Sequence, residues 1–195
     1  MSGGFLRTEK KKTIQARELV RCGMFSALIA AGAFLRLDLP VQPFPMHFTL
    51  QFFFVLLGAF LMGPREGMYS VGIYLLVGLS GVPVFAAGGG PAYLIRPTFG
   101  FLLGFLLAAG AAGALLRLRR NPGLFWYLVS ALCGMALMYA AGILYFYLIS
   151  NYVIGMPVSW GVVLVNCGVL TVGGDAVLCL LAALLARRLR AAGGF

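Results

Sequence analysis

The chain has 195 residues, of which 62% are hydrophobic and 10% are charged, and its mean hydropathy is +0.98. A soluble domain carries about 25% charged residues and could not hide this much apolar surface from water. The composition therefore excludes a soluble globular domain, a disordered tail and a disulfide scaffold. The net charge of +10 does not indicate a nucleic-acid partner, because the basic residues stand in blocks between apolar runs, as topology signals do.

Six apolar runs dominate the chain, and we predict an all-α membrane protein with six transmembrane helices. A spanning helix takes roughly 20 apolar residues, so six helices leave no room for a second, soluble domain. Helices are expected because an open sheet cannot satisfy its backbone groups in lipid. The first run also resembles a secretory signal, and that alternative stays open. The runs cover residues 22–35, 48–62, 68–85, 97–116, 123–149 and 161–186.

The basic residues predict how these helices are oriented. If the N-terminus is cytoplasmic, every Lys and Arg lies inside except Arg36 and Arg96. This asymmetry favours six spans with both termini in the cytoplasm, since five or seven spans would place the basic tail outside. We accordingly divide the chain into a basic segment (1–20), a transmembrane substrate-binding domain (21–190) and a short tail (191–195).

Asp175 is the only acid well inside an apolar run. An ionised carboxylate near the bilayer centre costs about 2.5–3.5 kcal/mol on insertion scales, so such a residue usually faces the interior of the bundle with a partner. The partner is a ligand or a transported proton in one interpretation, and a neighbouring helix in the other. Gly173 and Gly174 precede Asp175 and would let a ligand or another backbone approach closely.

Four further polar residues are candidates of different kinds. Arg96, predicted outside, suits a carboxylate that a guanidinium can hold bidentately, although it could also anchor a lipid headgroup. Gln51 and Asn166 carry amides that need partners, either a ligand or another helix. His47 has no neighbouring His, Cys or acid, so we expect it in an interfacial loop.

Other features of the sequence concern partners and cofactors. Gly23, Ala27 and Ala31 recur at every fourth position of the first helix, which lets another helix approach closely, either within the bundle or on a partner subunit. Motifs for phosphate loops, zinc peptidases and serine hydrolases are missing, and the four cysteines are widely spaced. We therefore expect no catalytic residues, no metal site and no cofactor.

Several strings resemble the BioY family, the biotin-binding S components of energy-coupling factor (ECF) transporters. The resemblance runs from about residue 17 to 190, and the strings that carry it read QPF and FTLQ, LMGPREG, GLSGVPVFA, and RPTFGFLLGF, the last beginning at Arg96. The resemblance implies six helices around an outward-facing vitamin pocket. It also implies a transmembrane T subunit and two cytoplasmic ATPases as partners, with the small-residue stripe on helix one docking on the T subunit.

The resemblance also implies roles for individual residues. The family's aspartate is expected to hold the ureido group of biotin, and Gly173-Gly174-Asp175 matches that position in part. The family's lysine, three residues further on, is Leu178 here. Either Arg96 holds the valerate carboxylate instead, or the affinity is lower, or the ligand is a relative of biotin. The predicted substrate-binding residues are Asp175, Arg96, Gln51, Asn166, Tyr93, Thr49, Phe85 and Tyr139.

Alternatives in function remain open from the sequence. The cargo could be another vitamin or a biotin precursor, because Leu178 replaces the lysine. A proton-coupled carrier that works without ATPases would use Asp175 as a proton relay. A membrane enzyme or assembly factor is disfavoured by the missing nucleophile, base and metal constellations.

Overall fold

The computed structural model describes residues 16–39 and 46–193. Several features used above lie outside the described residues. They are the basic residues Arg7 and Lys10 to Lys12, and the string at 42–44.

Six long helices make up most of the described part of the chain. They are α1 (Ala16–Phe34), α2 (Gln51–Met62), α3 (Pro64–Leu79), α4 (Phe99–Arg117), α5 (Leu124–Val153) and α6 (Trp160–Ala191). By length and composition, α4, α5 and α6 can cross a membrane, and α2 is apolar but only 12 residues long. The six predicted helices are confirmed in number and order.

The connections at one end are more structured than expected. An antiparallel hairpin of β1 (Arg36–Leu39) and β2 (Met46–Thr49) joins α1 to α2. The prediction that Phe48 and Thr49 begin the second helix is therefore wrong. They pair with β1, and the Leu50 amide ties the start of α2 to the carbonyls of Gly32 and Leu35.

The boundaries around the α3–α4 connection also differ from the prediction. Helix α3 ends at Leu79, well before residue 85, because the chain turns at Gly81 (φ +110°) and the Gly90 amide returns to the Gly78 carbonyl at 2.8 Å. A 3-10 turn (Pro91–Ile95) follows. Pro97 was expected in the first turn of the fourth helix, but it precedes α4, which begins at Phe99.

Close packing of α4 on α5 shapes the interior. A Cβ atom at Gly104 would lie 2.8 Å from the Cα and the carbonyl oxygen of Met138, and backbone atoms cannot move aside cheaply. Glycine therefore lets the two helices approach at this level. Near this level, Phe101 on α4 meets the Tyr139 ring on α5 edge-on.

The bundle has two chemically different ends. At the first, which we call the basic end, Arg21 on α1 forms a 3.1 Å ion pair with Glu66 on α3. There Arg117 at the end of α4 also donates to the Met62 carbonyl at 3.0 Å. At the other, the hairpin end, Tyr145 donates to the Leu94 carbonyl. Helix α6 starts at the hairpin end, where Trp160 stacks on the Tyr147 ring at 3.9 Å, so its terminal arginines lie at the basic end.

Candidate functional site

A cavity of about 630 Å³, including its mouth, lies among the hairpin, the α3–α4 connection and helices α2, α4, α5 and α6. Its wall has a polar part and an apolar part. The polar residues are His47, Thr49, Gln51, Tyr93, Thr98, Tyr139, Thr171 and Asp175. The apolar residues are Phe48, Phe52, Ala86, Phe101, Leu102, Phe105 and Met138.

Asp175 is buried in this wall, with 7% of its surface exposed. The Tyr139 hydroxyl donates to Asp175 Oδ2 at 2.5 Å and contacts Thr171 Oγ1 at 2.7 Å. Thr171 lies one helical turn before Asp175 on α6, so both side chains share one face. A carboxylate offers about four lone-pair sites, so a hydrogen bond from Tyr139 leaves acceptor capacity for a donor in the cavity.

Gly174 explains how the hairpin reaches this carboxylate. A Cβ atom at residue 174 would lie 2.6 Å from the ring of Phe48. The missing side chain gives the Phe48 ring room against α6, next to Asp175. The close approach expected from the glycines before Asp175 therefore involves Gly174, whereas a Cβ at Gly173 would meet no atom within 4 Å.

Gln51, the first residue of α2, lines another part of the cavity wall. Thr49 donates to its Oε1 at 3.1 Å, and its Nε2 donates to the Tyr74 hydroxyl. An amide nitrogen carries two hydrogens, so the second can donate to an acceptor in the cavity. One cavity thus combines a carboxylate acceptor on α6 with an amide donor on α2, which suits a ligand that has both N–H and C=O groups.

Aromatic rings form most of the apolar wall. Phe52 stacks on Phe105 with ring centroids 6.1 Å apart, and Phe101 meets Tyr139 edge-on at 5.9 Å. Phe85 does not line the cavity. It is fully buried behind Tyr93, with a centroid separation of 4.6 Å, so its contact with the cavity is indirect.

Arg96 lies outside the cavity wall, exposed at the hairpin end. Its guanidinium carbon is 5.2 Å from the ring centroid of Tyr93, which does line the cavity. Burial raises the pKa of the Tyr93 hydroxyl, while the charges of Arg96 and Arg36 lower it. A positive charge therefore stands beside Tyr93, which lines the cavity.

Asn166 lies outside the cavity wall as well. Residues Leu164–Val169 of α6 form a π-helical segment, and within it Cys167 is fully buried while Asn166 is half-buried. Asn166 precedes Asp175 by nine residues, which is about two and a half α-helical turns, so α-helical geometry places the two side chains on opposite sides of α6. Leu178 is buried in the main hydrophobic core, so the position of the family's lysine is apolar here.

The small-residue stripe on α1 faces away from the bundle. Gly23, Ala27 and Ala31 are exposed, whereas Phe25 and Ile29 on the opposite face are buried. A Cβ atom at Gly23 would meet no atom within 4 Å. Internal packing among the described residues therefore does not account for the stripe.

Several residues of the cavity wall were not predicted from the sequence. Thr171 had a usable signal, because it precedes Asp175 by four residues on the same helix. His47 was expected in a loop, but it lies in β2 and lines the cavity. Others, for which the sequence offered no such signal, include Ala86, Thr98, Phe101, Leu102, Phe105 and Met138. Within 16–39 and 46–193, no three His, Cys, Asp or Glu residues are grouped as metal ligands.

Comparison with known proteins identifies the family. The model of the BioY family matches residues 8–194. The "Probable biotin transporter BioY" of Lysinibacillus sphaericus is 40% identical over 171 residues, which cover 88% of this chain and 85% of the relative. The "Biotin transporter BioY" of Thermotoga maritima is 41% identical over 128 residues, which cover 65% of this chain and 72% of the relative.

A solved structure supports the same fold. The crystal structure at 2.1 Å of the S-component for biotin from an ECF-type ABC transporter superposes with a TM-score of 0.76. The match covers 89% of this chain and 90% of the other, with 24% identity. Because a family model spans nearly the whole chain and long alignments keep about two residues in five, the chain is a member of the BioY family.

Proposed function

We propose that the chain is the substrate-capture (S) subunit of an ECF-type ABC importer and that it binds biotin. The observation that carries the proposal is the cavity, whose wall combines the Asp175 carboxylate with the Gln51 amide among aromatic rings. The ureido group of biotin has two N–H donors and one carbonyl acceptor, and its ring system is apolar. Relatives named as biotin transporters support the same ligand. The chain itself carries out no covalent chemistry, and ATP hydrolysis belongs to partner subunits.

Each part of the ligand has a proposed partner. Asp175 accepts from a ureido N–H, and Gln51 donates to the ureido carbonyl. Tyr139 and Thr49 hold these two side chains through the hydrogen bonds described above. Tyr93, supported from behind by Phe85, closes the wall near the mouth. Arg96 binds the valerate carboxylate there, in place of the lysine that Leu178 replaces. Asn166 is assigned no direct contact with the ligand.

The two ends of the bundle support an orientation in the membrane. We place the basic end in the cytoplasm, because basic residues concentrate on the cytoplasmic side of membrane proteins. Both termini, the segment 1–20 and the tail 191–195 are then cytoplasmic, and residues 21–190 form the transmembrane substrate-binding domain of a multi-pass protein of the cell membrane. The cavity, which lies at the hairpin end, opens to the outside, where the vitamin is captured.

Equilibrium binding of labelled biotin to the purified protein tests this function directly. We expect saturable binding at or below micromolar biotin, displaced by unlabelled biotin. Competition by dethiobiotin and by unrelated vitamins separates biotin from the other cargoes that the sequence left open. A well-folded protein that binds no biotin at micromolar concentration would contradict the proposal.

The exposed stripe of Gly23, Ala27 and Ala31 is the proposed docking surface for the T subunit of the transporter. Replacing Ala27 by Leu adds bulk to this surface without touching the cavity. We expect the variant to bind biotin normally. When it is co-expressed with the T subunit and the two ATPases of its own source organism, we expect it no longer to co-purify with them. Ala140→Leu is the control, because Ala140 is an exposed alanine on α5. Retention of the complex by the Ala27 variant would place the docking surface elsewhere.

A further inference from the structure

Tyr74 is a buried tyrosine that the site described above does not use. It lies on α3 with 1% of its surface exposed, and it does not line the cavity. Its hydroxyl nevertheless takes part in two hydrogen bonds. It accepts one from Gln51 Nε2, and it donates to the Val84 carbonyl at 3.4 Å. Both functions of a phenolic hydroxyl, donor and acceptor, are therefore occupied.

The bond to Tyr74 has a consequence for Gln51. The terminal torsion of a glutamine side chain has a broad energy profile, so the side chain alone does not fix where its amide points. Here Thr49 holds the oxygen and Tyr74 holds the nitrogen. Because both atoms are held, the orientation of the amide is fixed, and so is the direction in which the second N–H of Gln51 Nε2 points.

The second bond extends the same arrangement to the outer connection. Val84 lies in the segment between α3 and α4 that also supplies Ala86 and Tyr93 to the cavity wall. The Tyr74 ring meets Phe85 edge-on at 5.3 Å, and Phe85 packs against Tyr93 at 4.6 Å. Tyr74 thus contacts Gln51, which lines the cavity, and Phe85, which packs behind Tyr93 in another part of the wall. Tyr74 itself does not line the cavity.

We infer that Tyr74 is a positioning residue for ligand recognition, whose hydroxyl aims the Gln51 amide at the carbonyl of the bound ureido group and ties that amide to the Val84 carbonyl. The inference rests on the proposed function for the identity of the ligand. It adds a residue that acts through Gln51, and it predicts that Tyr74 matters only for ligands with a strong carbonyl acceptor.

The test compares two ligands in three proteins. Biotin has a ureido oxygen, whereas 2-thiobiotin has a sulfur, which is a weaker acceptor. In Tyr74→Phe we expect biotin to bind five- to tenfold more weakly and 2-thiobiotin to bind within twofold of its wild-type affinity. Tyr127→Phe is the matched control, because Tyr127 is also buried and packs edge-on against Phe60, outside the cavity. It is expected to change neither affinity.

The outcomes separate the inference from the function. Equal weakening of both ligands in Tyr74→Phe means a merely structural role and overturns the inference, as does no weakening at all. If Tyr74→Phe does not fold, Thr49→Val removes the other hydrogen bond to Gln51 and must show the same ligand dependence.

If the wild type binds no biotin, the proposed function fails. In that case, hydrogen exchange of backbone amides in the ligand-free protein tests the inference. We expect exchange at residues 82–90 to be faster in Tyr74→Phe than in Tyr127→Phe. Equal exchange overturns the inference.

Discussion

Replacing Asp175 by Asn is expected to weaken biotin binding by about 10–150-fold. The variant removes a charge-assisted hydrogen bond in a buried wall, and such a bond contributes about 1.5–3 kcal/mol. Asparagine has nearly the same shape, so the contact with Tyr139 and the packing of α6 on α5 can persist. Isothermal titration of the purified variant with biotin measures the loss.

A control and a stability measurement separate ligand binding from a structural contact. Glu66→Gln makes the same chemical change at the ion pair with Arg21, far from the cavity, and is expected to leave biotin affinity unchanged. If Asp175 serves mainly to join α5 and α6, Asp175→Asn lowers the thermal midpoint of the ligand-free protein while biotin affinity stays within twofold. That result would contradict the assignment of Asp175 to the ligand.

Replacing Arg96 by Gln is expected to weaken biotin binding at least tenfold. The guanidinium lies beside the cavity, over the ring of Tyr93, and we assign the valerate carboxylate to it. The loss should depend on the ligand's charge, since the methyl ester of biotin has no carboxylate to bind. We therefore expect Arg96→Gln to bind the methyl ester about as well as the wild type does.

Arg119 offers a matched control for this variant. It is exposed, and its guanidinium carbon lies 5.1 Å from the ring centroid of Trp126, near the start of α5 and outside the cavity wall. Arg119→Gln removes the same charge from the same kind of contact, and biotin affinity should not change. A loss in Arg96→Gln that is equally large for biotin and for its methyl ester would assign Arg96 to the shape of the mouth and not to the carboxylate.

The proposed selectivity for the ligand depends on both the Asp175 carboxylate and the Gln51 amide in the cavity wall. In the proposed site, a ligand that lacks the carbonyl would leave one Gln51 N–H unsatisfied, and one that lacks the N–H groups would leave Asp175 with Tyr139 as its hydrogen-bond donor. Unpaired buried polar groups cost more than a missing apolar contact, so we expect the combination to select against ligands that match only one of the two groups. The neighbouring aromatic rings add affinity for a flat apolar ring system without adding this kind of selectivity.

The class of fold could be predicted from the sequence because the bilayer limits the choices. Apolar runs of spanning length are helices where no water can satisfy the backbone, and this logic found all six helices in order. The boundaries were less predictable. Phe48 and Thr49 continue the apolar run into α2, but pairing with β1 holds them in a strand, and pairing between separate segments leaves no local signal.

The residues of the candidate site likewise differ in how well the sequence predicts them. An acid in an apolar run is costly wherever the chain folds, so Asp175 was identifiable from the sequence, and its environment confirms that it is buried with a hydroxyl partner. Asn166, by contrast, does not line the cavity. It lies nine residues before Asp175, about two and a half α-helical turns, so helical periodicity already argued against a shared wall.

The sequence by itself determined that this protein lies in lipid, how many helices it has, and that Asp175, among the residues the structure describes, is a deeply buried acid. Each of these follows from the cost of placing a group in lipid. Only the tertiary structure decided that Gln51, Tyr139, Thr171 and the rings of α4 line one cavity with that acid. Their meeting depends on glycines such as Gly104, which set the distance between helices. Distances between segments far apart in the chain come from packing, and no local pattern of residues encodes them.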